Sequence, residues 1–397
     1  MTYSWFHDLS ICIFVNLKSI KNKINSSQAN YANMGLVKDI YTPDFYQSIA
    51  DQFYAIDPDF DRAKFIADIF VSKFDHLEWK QRTKHTTEVL HQFLPKDFSE
   101  AAQIITQVVE KLLASGASGG LAYIIFPDYI ETYGLDHFDV SVRSFEVITK
   151  FISCEFAVRP FLIKYQDQMI REMEKWSRDP HAAVRRLASE GSRPRLPWAM
   201  AIPFLKADPS PILPLLYNLR NEPSETVRRS VANNLNDIAK DHPTVVIEIA
   251  KKWKGISAST DALIKHASRT LLKQGHPEIL AFYGLQNTGF EVKNLLLKTA
   301  IVKIGDSLNF SFELQNLHTQ AQLVRLEYGI YYLKANGQLS RKVFKISEKI
   351  YQAGEVNTLS RHQSFKLITT RKFYLGNHKL SIIVNGQETL ETYFELV

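Results

Sequence analysis

One dipeptide recurs at a nearly constant interval and constrains the fold of this chain more than any other feature. Val-Arg stands at residues 142–143, 184–185 and 227–228, at intervals of 42 and 43 residues. The octapeptide DPHAAVRR at 179–186 is echoed by EPSETVRR at 222–229. Periods of this length are typical of helical pairs that stack as a HEAT-like solenoid. The repeat therefore predicts stacked helices in this part of the chain.

Helical periodicity extends well beyond these repeats. From residue 36 to 285 the apolar side chains recur at helical spacing, interrupted by proline, glycine or aspartate. We predict an all-α HEAT-like repeat solenoid over residues 34–287. The well-patterned sequence begins at Met34, so we expect residues 1–33 to be an upstream extension that is not part of the fold.

The pattern changes to that of β-strands near Gly289. Every second residue of 308–314 is apolar, and Asn-Gly pairs at 336–337 and 385–386 are typical of hairpin turns. A segment of this length with about seven short strands fits an immunoglobulin-like sandwich, although the cysteine and tryptophan hallmarks of antibody domains are absent. The predicted fold class is thus an all-α solenoid followed by an all-β immunoglobulin-like sandwich at 288–397.

Composition narrows the possible functions. The formal net charge of +6 and the pI near 9.0 favour anionic partners such as nucleic acid. Two cysteines are too few for a zinc cluster or a disulfide framework, and the chain has no HExxH or CxxC spacing. We therefore expect a cytoplasmic protein with no metal and no cofactor. The apolar run at 9–17 is too short to span a bilayer, so we expect no membrane partner.

Two glutamates occupy similar contexts near predicted helix ends. Glu155 lies in ISCEFAVRPFL and Glu190 lies in ASEGSRPRLPW, 35 residues further on. Because that interval is close to one helical pair, stacked helices would turn both carboxylates toward one surface. The structural alternative for Glu155 is an ion pair with Arg159, four residues later.

Glu190 falls in the last turn of a helix that we predict to begin with Asp179 as N-cap and Pro180 as its first residue. A carboxylate there opposes the negative end of the helix dipole, and a nearby cation such as Arg193 or Arg195 would relieve this.

Trp198 closes the RPRLPW segment, in which two prolines stiffen the loop. One interpretation places it in the core. The other is recognition of a flat cationic ligand by stacking and cation-π contact, since a tryptophan near carboxylates suits such a ligand.

These motifs resemble those of the AlkC-type DNA alkylation repair glycosylases of the HEAT-like repeat superfamily. The resemblance is strongest over residues 133–162 and 176–199 and extends more weakly from about 35 to 275. It implies excision of cationic N-methylated bases, notably 3-methyladenine and 3-methylcytosine, from duplex DNA by hydrolysis of the N-glycosidic bond. It also implies base excision repair without flipping the damaged base into a closed pocket, and association with the nucleoid.

The resemblance implies that Glu155, Glu190 and Trp198 are the catalytic residues. The motifs contain no lysine that suggests Schiff-base chemistry, so we expect a monofunctional enzyme that binds alkylated double-stranded DNA as a monomer. Phosphate contacts would position the duplex without reading sequence. Stacked repeats would align their cations in a row along one surface. This expected position makes the following residues candidate DNA contacts: Arg159, Arg193, Arg195, Arg228, Lys265 and Arg269.

Two other functions fit the same sequence. The chain could be a non-catalytic HEAT-repeat adaptor, in which the glutamates are structural. It could also be a DNA-damage-binding protein that senses distortion and does not cut.

Overall fold

The computed structural model of this protein describes residues 36–286, 288–368 and 371–397. The predicted extension and the proposed start at Met34 lie outside the described residues. Within them, one compact unit comprises residues 36–241 and 253–266.

Fifteen α-helices lie in the described part of the chain. Their bounds are α1 Pro43–Tyr54, α2 Arg62–Ile69, α3 Trp79–Phe93, α4 Phe98–Ala114, α5 Ile125–Tyr133, α6 Phe138–Ile148, α7 Val158–Trp176, α8 Ala182–Gly191, α9 Pro203–Ala207, α10 Leu213–Asn218, α11 Glu225–Ile238, α12 Pro243–Trp253, α13 Ala258–Ala267, α14 Arg269–Gln274 and α15 Pro277–Phe282.

Two of the three helices that carry the recurring Val-Arg pair show why the sequence repeats. Arg185 of α8 donates to the backbone oxygens of Asp179 and Pro180, at 2.8 and 2.9 Å. Arg228 of α11 makes the same contact with the loop before its own helix, at the oxygens of Glu222 and Pro223. Each arginine thus closes the turn that precedes its helix, and α8 packs directly against α11. The stacked helical repeat is confirmed.

Helix α8 begins later than the sequence analysis predicted. Its N-cap is His181, whose Nδ1 accepts from the backbone N–H of Ala183 at 3.2 Å. Asp179 instead accepts from the N–H of His181 at 2.7 Å and shapes the turn before the helix. Asp179 and Pro180 therefore order the approach to α8 and do not start it.

Gly191, the last residue of α8, sets the distance between two helices. A Cβ on this residue would lie 2.6 Å from Cγ2 of Val158 and 3.2 Å from Cε of Met173, both in α7. Such separations are shorter than van der Waals contact, so only glycine permits α7 and α8 to approach this closely. The glycine is required by packing, and it brings the end of α8 beside the start of α7.

The strands form two sheets. Their bounds are β1 Phe290–Leu297, β2 Ile301–Val302, β3 Ser307–Asn316, β4 Gln322–Leu333, β5 Leu339–Tyr351, β6 Val356–Ser364, β7 Gly376–Val384 and β8 Gln387–Leu396. One sheet has the order β1-β3-β6 and the other β2-β8-β7-β4-β5. Inward-facing residues of both sheets, including Phe312 of β3, Leu326 of β4 and Leu380 of β7, share one core. The predicted sandwich is confirmed.

Both predicted hairpin turns are also confirmed. Gly337 lies at φ 76° between β4 and β5. Asn385 and Gly386 lie at φ 46° and 80° between β7 and β8, the left-handed pair that a tight hairpin requires.

The second compact unit contains helical residues as well as the strands. Residues 242–252 belong to it, as do the described residues from 267 onward. A Cβ on Gly275, after α14, would meet the backbone oxygen of Gly386 at 2.5 Å. The domain boundary proposed near residue 287 stays a prediction. No helix in the described ranges is long and apolar enough to cross a membrane.

Candidate active site

Glu155 and Glu190 meet at one guanidinium. Nη1 of Arg186 lies 2.7 Å from Oε2 of Glu155, and its Nη2 lies 3.9 Å from Oε2 of Glu190. Ser153 also donates to Oε2 of Glu155, at 2.8 Å. Arg186 is on α8, one turn before Glu190, whereas Glu155 lies in the turn that leads into α7. The structure therefore brings the two predicted acids together through a cation that the sequence analysis did not single out.

The two carboxylates differ in their access to solvent. The Glu155 side chain is 20% exposed, whereas Glu190 as a residue is only 5% exposed. Nη1 of Arg193 lies 2.7 Å from Oε1 of Glu190. Burial raises the pKa of Glu190, but Arg193 and Arg186 outweigh it and hold that pKa below its usual value. Glu155 is thus the acid that a bound molecule can reach, and Glu190 is a fixed negative charge behind it.

Arg159 does not pair with Glu155, because Glu155 precedes the helix and the four-residue helical spacing does not apply. The Arg159 side chain is fully buried. Its Nη1 donates to the backbone oxygens of Gly191 and Arg193 at 3.0 and 2.8 Å, and its Nε donates to that of Met200 at 2.7 Å. Desolvation lowers the pKa of this guanidinium to about 10. Both expectations for Arg159, the ion pair and the phosphate contact, are wrong in this structure: it holds the 191–200 loop.

Arg193 is likewise an internal residue. Its Nε donates to Oδ2 of Asp237 on α11 at 2.8 Å, and only 7% of the residue is exposed. Lys240 donates to the other oxygen of Asp237 at 2.9 Å. The phosphate contact expected for Arg193 is therefore corrected as well: its guanidinium joins Glu190 to Asp237. The ion pairs thus run from the partly exposed Glu155 through Arg186 to the buried residues Glu190, Arg193 and Asp237.

The other predicted DNA contacts lie outside this buried network. Arg195 pairs with Asp241 at 2.6 Å, and both side chains are about 30% exposed. Arg228 is half-buried and donates to the loop before α11. Lys265 and Arg269 are half-buried and each has partners of its own. For these four residues, DNA contact stays a prediction.

Trp198 occupies a strained backbone position. Its φ is 65°, in the left-handed region that a bulky side chain rarely adopts. The backbone oxygen of Trp198 accepts from Nζ of Lys80 at 2.5 Å, while Arg159 holds the oxygen of Met200. Strain of this kind costs about 1–3 kcal/mol and persists only where surrounding contacts enforce it, often at functional sites. The half-buried indole is thus fixed in place and does not fill the core.

The indole faces a cavity beside the acid pair. Trp79 of α3 lies 5.8 Å from Trp198 between ring centroids, at an interplanar angle of 50°. Both rings line a cavity of about 220 Å³, to which Ser153 also contributes. Because the Ser153 hydroxyl also bonds to Glu155, the cavity and the acid pair are adjacent.

Four residues at the site were not predicted from the sequence. Arg186 carried a usable signal, since it precedes Glu190 by one helical turn and such pairs meet on a helix surface. Asp237 carried no such signal, because 44 residues separate it from Arg193. Two further carboxylates, Asp128 and Glu131, line the cavity from α5 and were also missed.

Comparison with known proteins agrees with this architecture. A family model described as the C-terminal Ig-like domain of the uncharacterised protein YhaZ matches residues 291–397. The YhaZ protein of Bacillus subtilis (strain 168) is 42% identical over 355 residues, which covers 89% of this chain and 97% of that protein.

A solved structure is similar over nearly the same length. It is that of the Pseudomonas fluorescens alkylpurine DNA glycosylase AlkC bound to DNA containing an abasic site analog, with a TM-score of 0.85 and 33% identity, covering 91% of this chain and all of that one. With its helical repeats, its immunoglobulin-like sandwich and these relatives, the chain belongs to the AlkC family.

Proposed function

We propose that this protein is a monofunctional DNA glycosylase that excises cationic N-alkylated bases from duplex DNA. Its substrates are 3-methyladenine and 3-methylcytosine, and it acts as a monomer on nucleoid DNA in the cytoplasm, in base excision repair. The observation that carries the proposal is the pairing of Glu155 and Glu190 with one guanidinium, close to Trp198, whose strained backbone the surrounding contacts hold in place. The similarity to an alkylpurine DNA glycosylase supports it.

The chemistry suits a base that already carries a positive charge. Water attacks C1′ of the deoxyribose as the bond from C1′ to the base nitrogen breaks. The bonding electron pair moves onto the base, which leaves neutral, so no general acid is needed for it. The proton of the water passes to a carboxylate, and the products are the free methylated base and an abasic sugar.

The acid pair supplies what this reaction needs. Positive charge grows on the sugar as the base departs, and fixed carboxylates nearby stabilise it. We assign the orientation and deprotonation of water to Glu155, because it is the more exposed of the two acids. Glu190 contributes a buried negative charge that Arg193 and Arg186 keep deprotonated. Trp198 would press on the nucleotide from the side, so the lesion need not enter a closed pocket.

Duplex binding is assigned to the more exposed cations. Arg195 is the candidate of choice, since its side chain is 30% exposed and its partner Asp241 is equally open. Loss of one phosphate contact reduces the slope of log K against log salt by about one. We expect that reduction for Arg195→Ala, and none for Arg178→Ala, which removes an exposed cation in the turn after α7 that pairs with Glu174.

A base-release assay on a duplex that carries one 3-methylcytosine or 3-methyladenine tests the proposal. Wild type and Glu110→Gln, which alters an exposed carboxylate on α4, should release the base. Glu155→Gln, Glu190→Gln and Trp198→Ala should lose at least roughly 100-fold in rate while still binding the duplex. Wild-type rates in both glutamine variants would contradict the assigned mechanism.

The two rival functions give different outcomes in the same assay. A non-catalytic adaptor would release no base, and the glutamine variants would change only thermal stability. A damage sensor would prefer the alkylated duplex over the unmodified one without any release. Comparing the affinity for the two duplexes alongside release therefore separates all three functions.

A further inference from the structure

The cavity beside Trp198 has its own set of polar groups, distinct from the acid pair. Helix α3 contributes Trp79 and Lys80 to its wall, and α5 contributes Asp128 and Glu131. At about 220 Å³ it is smaller than the pockets of roughly 300–1,000 Å³ that take drug-sized ligands. A single flat ring system is the kind of group that fits.

Glu131 is a carboxylate in the cavity wall with no hydrogen-bond or ion-pair partner among the described residues. Asp128, by contrast, accepts from Thr87 at 2.6 Å. Burial, followed by the charge of Asp128, raises the pKa of Glu131 to about 7, although Lys84 and Lys80 oppose the shift. Glu131 is half-buried in the cavity wall, and carboxyls whose pKa is raised by burial and by a neighbouring charge are common at functional sites.

The remaining walls are aromatic. Trp79 and Trp198 form a tilted pair, and Phe156 lines the cavity beside them. The Lys80 ammonium is drawn away to the backbone oxygen of Trp198 and lies 6.0 Å from the centre of the Phe156 ring. Flat rings stack on indoles, and a cation over an indole gains further electrostatic attraction. The cavity thus offers stacking surface together with acceptors.

We propose that this cavity is a product site for the released N-alkylated purine base, which stacks on Trp79 and Trp198 and shares a proton with Glu131. The inference rests on the proposed function for its choice of purine. A released alkylpurine is flat and has basic ring nitrogens. It binds either as a cation beside the Glu131 carboxylate or as a neutral base that accepts the proton of the Glu131 carboxyl. Both states place one proton between base and acid. Only the released base enters the cavity, after the glycosidic bond has broken, so the damaged nucleotide need not flip out of the duplex.

Binding of the free base to the full chain, without any DNA, tests this site directly. The probe is 3-methyladenine, with adenine as the less basic comparator of nearly the same shape. Titration calorimetry and quenching of tryptophan fluorescence should both show saturable binding of 3-methyladenine that is tighter than that of adenine. Glu131→Gln should weaken it at least roughly tenfold, because the charge-assisted hydrogen bond is lost.

Matched variants keep the test decisive. Glu110→Gln removes an exposed carboxylate from α4 and should bind the probe as wild type does. Trp79→Phe keeps an aromatic wall and should weaken binding less than Trp79→Ala, so the site remains testable if Glu131→Gln does not fold. Absence of saturable binding by wild type, or wild-type affinity in Glu131→Gln, would overturn the inference.

Product inhibition separates this inference from the proposed function. If wild type releases alkylated bases, added 3-methyladenine should slow it, and Glu131→Gln should resist that inhibition. Base release that added 3-methyladenine does not inhibit would contradict the product site and leave the glycosylase proposal intact. Glu131-dependent binding of the probe by a protein that releases no base would contradict the glycosylase proposal and leave the binding site for the base intact.

Discussion

Nε of Arg159 donates a 2.7 Å hydrogen bond to the backbone oxygen of Met200, two residues beyond the strained Trp198. The same guanidinium holds the oxygens of Gly191 and Arg193. One buried side chain on α7 thus fixes the segment that carries the indole. The position of Trp198 therefore depends on helix α7 as well as on the stiff prolines of its own loop.

Replacing Arg159 by methionine should destabilise the protein. The change leaves the buried carbonyl oxygens of Gly191 and Arg193, and the more exposed one of Met200, without this donor, which costs roughly 2 kcal/mol or more of unfolding free energy. Urea unfolding measures this, with Arg178→Met as the control, since that arginine is exposed and should matter by less than about 0.5 kcal/mol. A residue that instead contacted phosphate would leave stability unchanged and weaken the salt dependence of DNA binding.

Replacing Arg186 by methionine should move the acid limb of the base-release profile to higher pH. Arg186 is one of the cations that hold the pKa of Glu190 below its usual value, so its loss raises that pKa. Glu190 then becomes protonated, and its supporting charge disappears, at a higher pH than in wild type. Rates measured across the acid range give the midpoint, and Arg186→Lys should restore part of the shift. An unmoved midpoint with a lower rate would mean that Arg186 acts only through structure.

Adding one methyl group at Gly191 should cost roughly 1–3 kcal/mol of stability. Alanine there would overlap Val158, and the buried α7–α8 contact leaves little room to relax. Thermal or urea unfolding gives the difference. Gly120→Ala is the matched control, because a Cβ at that position meets no atom within 4 Å. Equal losses of stability in the two variants would show that α7 and α8 can move apart at little cost and that the close contact does not require glycine.

Glu131 should make stability depend on pH near neutrality. Its pKa is raised from 4.5 to about 7 by burial and then by Asp128, against the opposing charges of Lys84 and Lys80. The folded protein therefore binds this proton more tightly than the unfolded chain does, and wild type gains stability relative to Glu131→Gln as the pH falls from about 7 toward 4.5. Thermal melts of both proteins across this window check the sign. Glu110→Gln should track wild type throughout.

The general architecture was accessible from the sequence because it is encoded locally. Helical spacing, the recurring Val-Arg pair and the Asn-Gly turns each act over a few residues, and the predicted solenoid and sandwich followed from them. The near meeting of Glu155 and Glu190 was also expected from the repeat. The predicted start of α8 was wrong: Asp179 was expected to be the N-cap, but His181 is. The side chains of both residues accept a hydrogen bond from a backbone N–H two residues later, so the sequence alone did not separate them.

The candidate site was only partly predictable. Sequence spacing suggested that Arg159 would meet Glu155, but Glu155 lies before the helix, so the arginine turns inward instead. Nothing in the local pattern indicated Asp237, which Arg193 reaches across 44 residues, or Glu131, which becomes notable only because a cavity forms beside it.

The sequence by itself determined which segments become helices and which become strands, and it marked two glutamates and a tryptophan as unusual. Only the tertiary structure decided which cations are buried, which acids share a guanidinium, and that Glu131 lines one cavity with two indoles. The physical reason is the distance along the chain over which each interaction acts. Backbone preference and hydrophobic period act between neighbours along the chain, whereas charge pairing and desolvation depend on residues that packing brings together from distant positions.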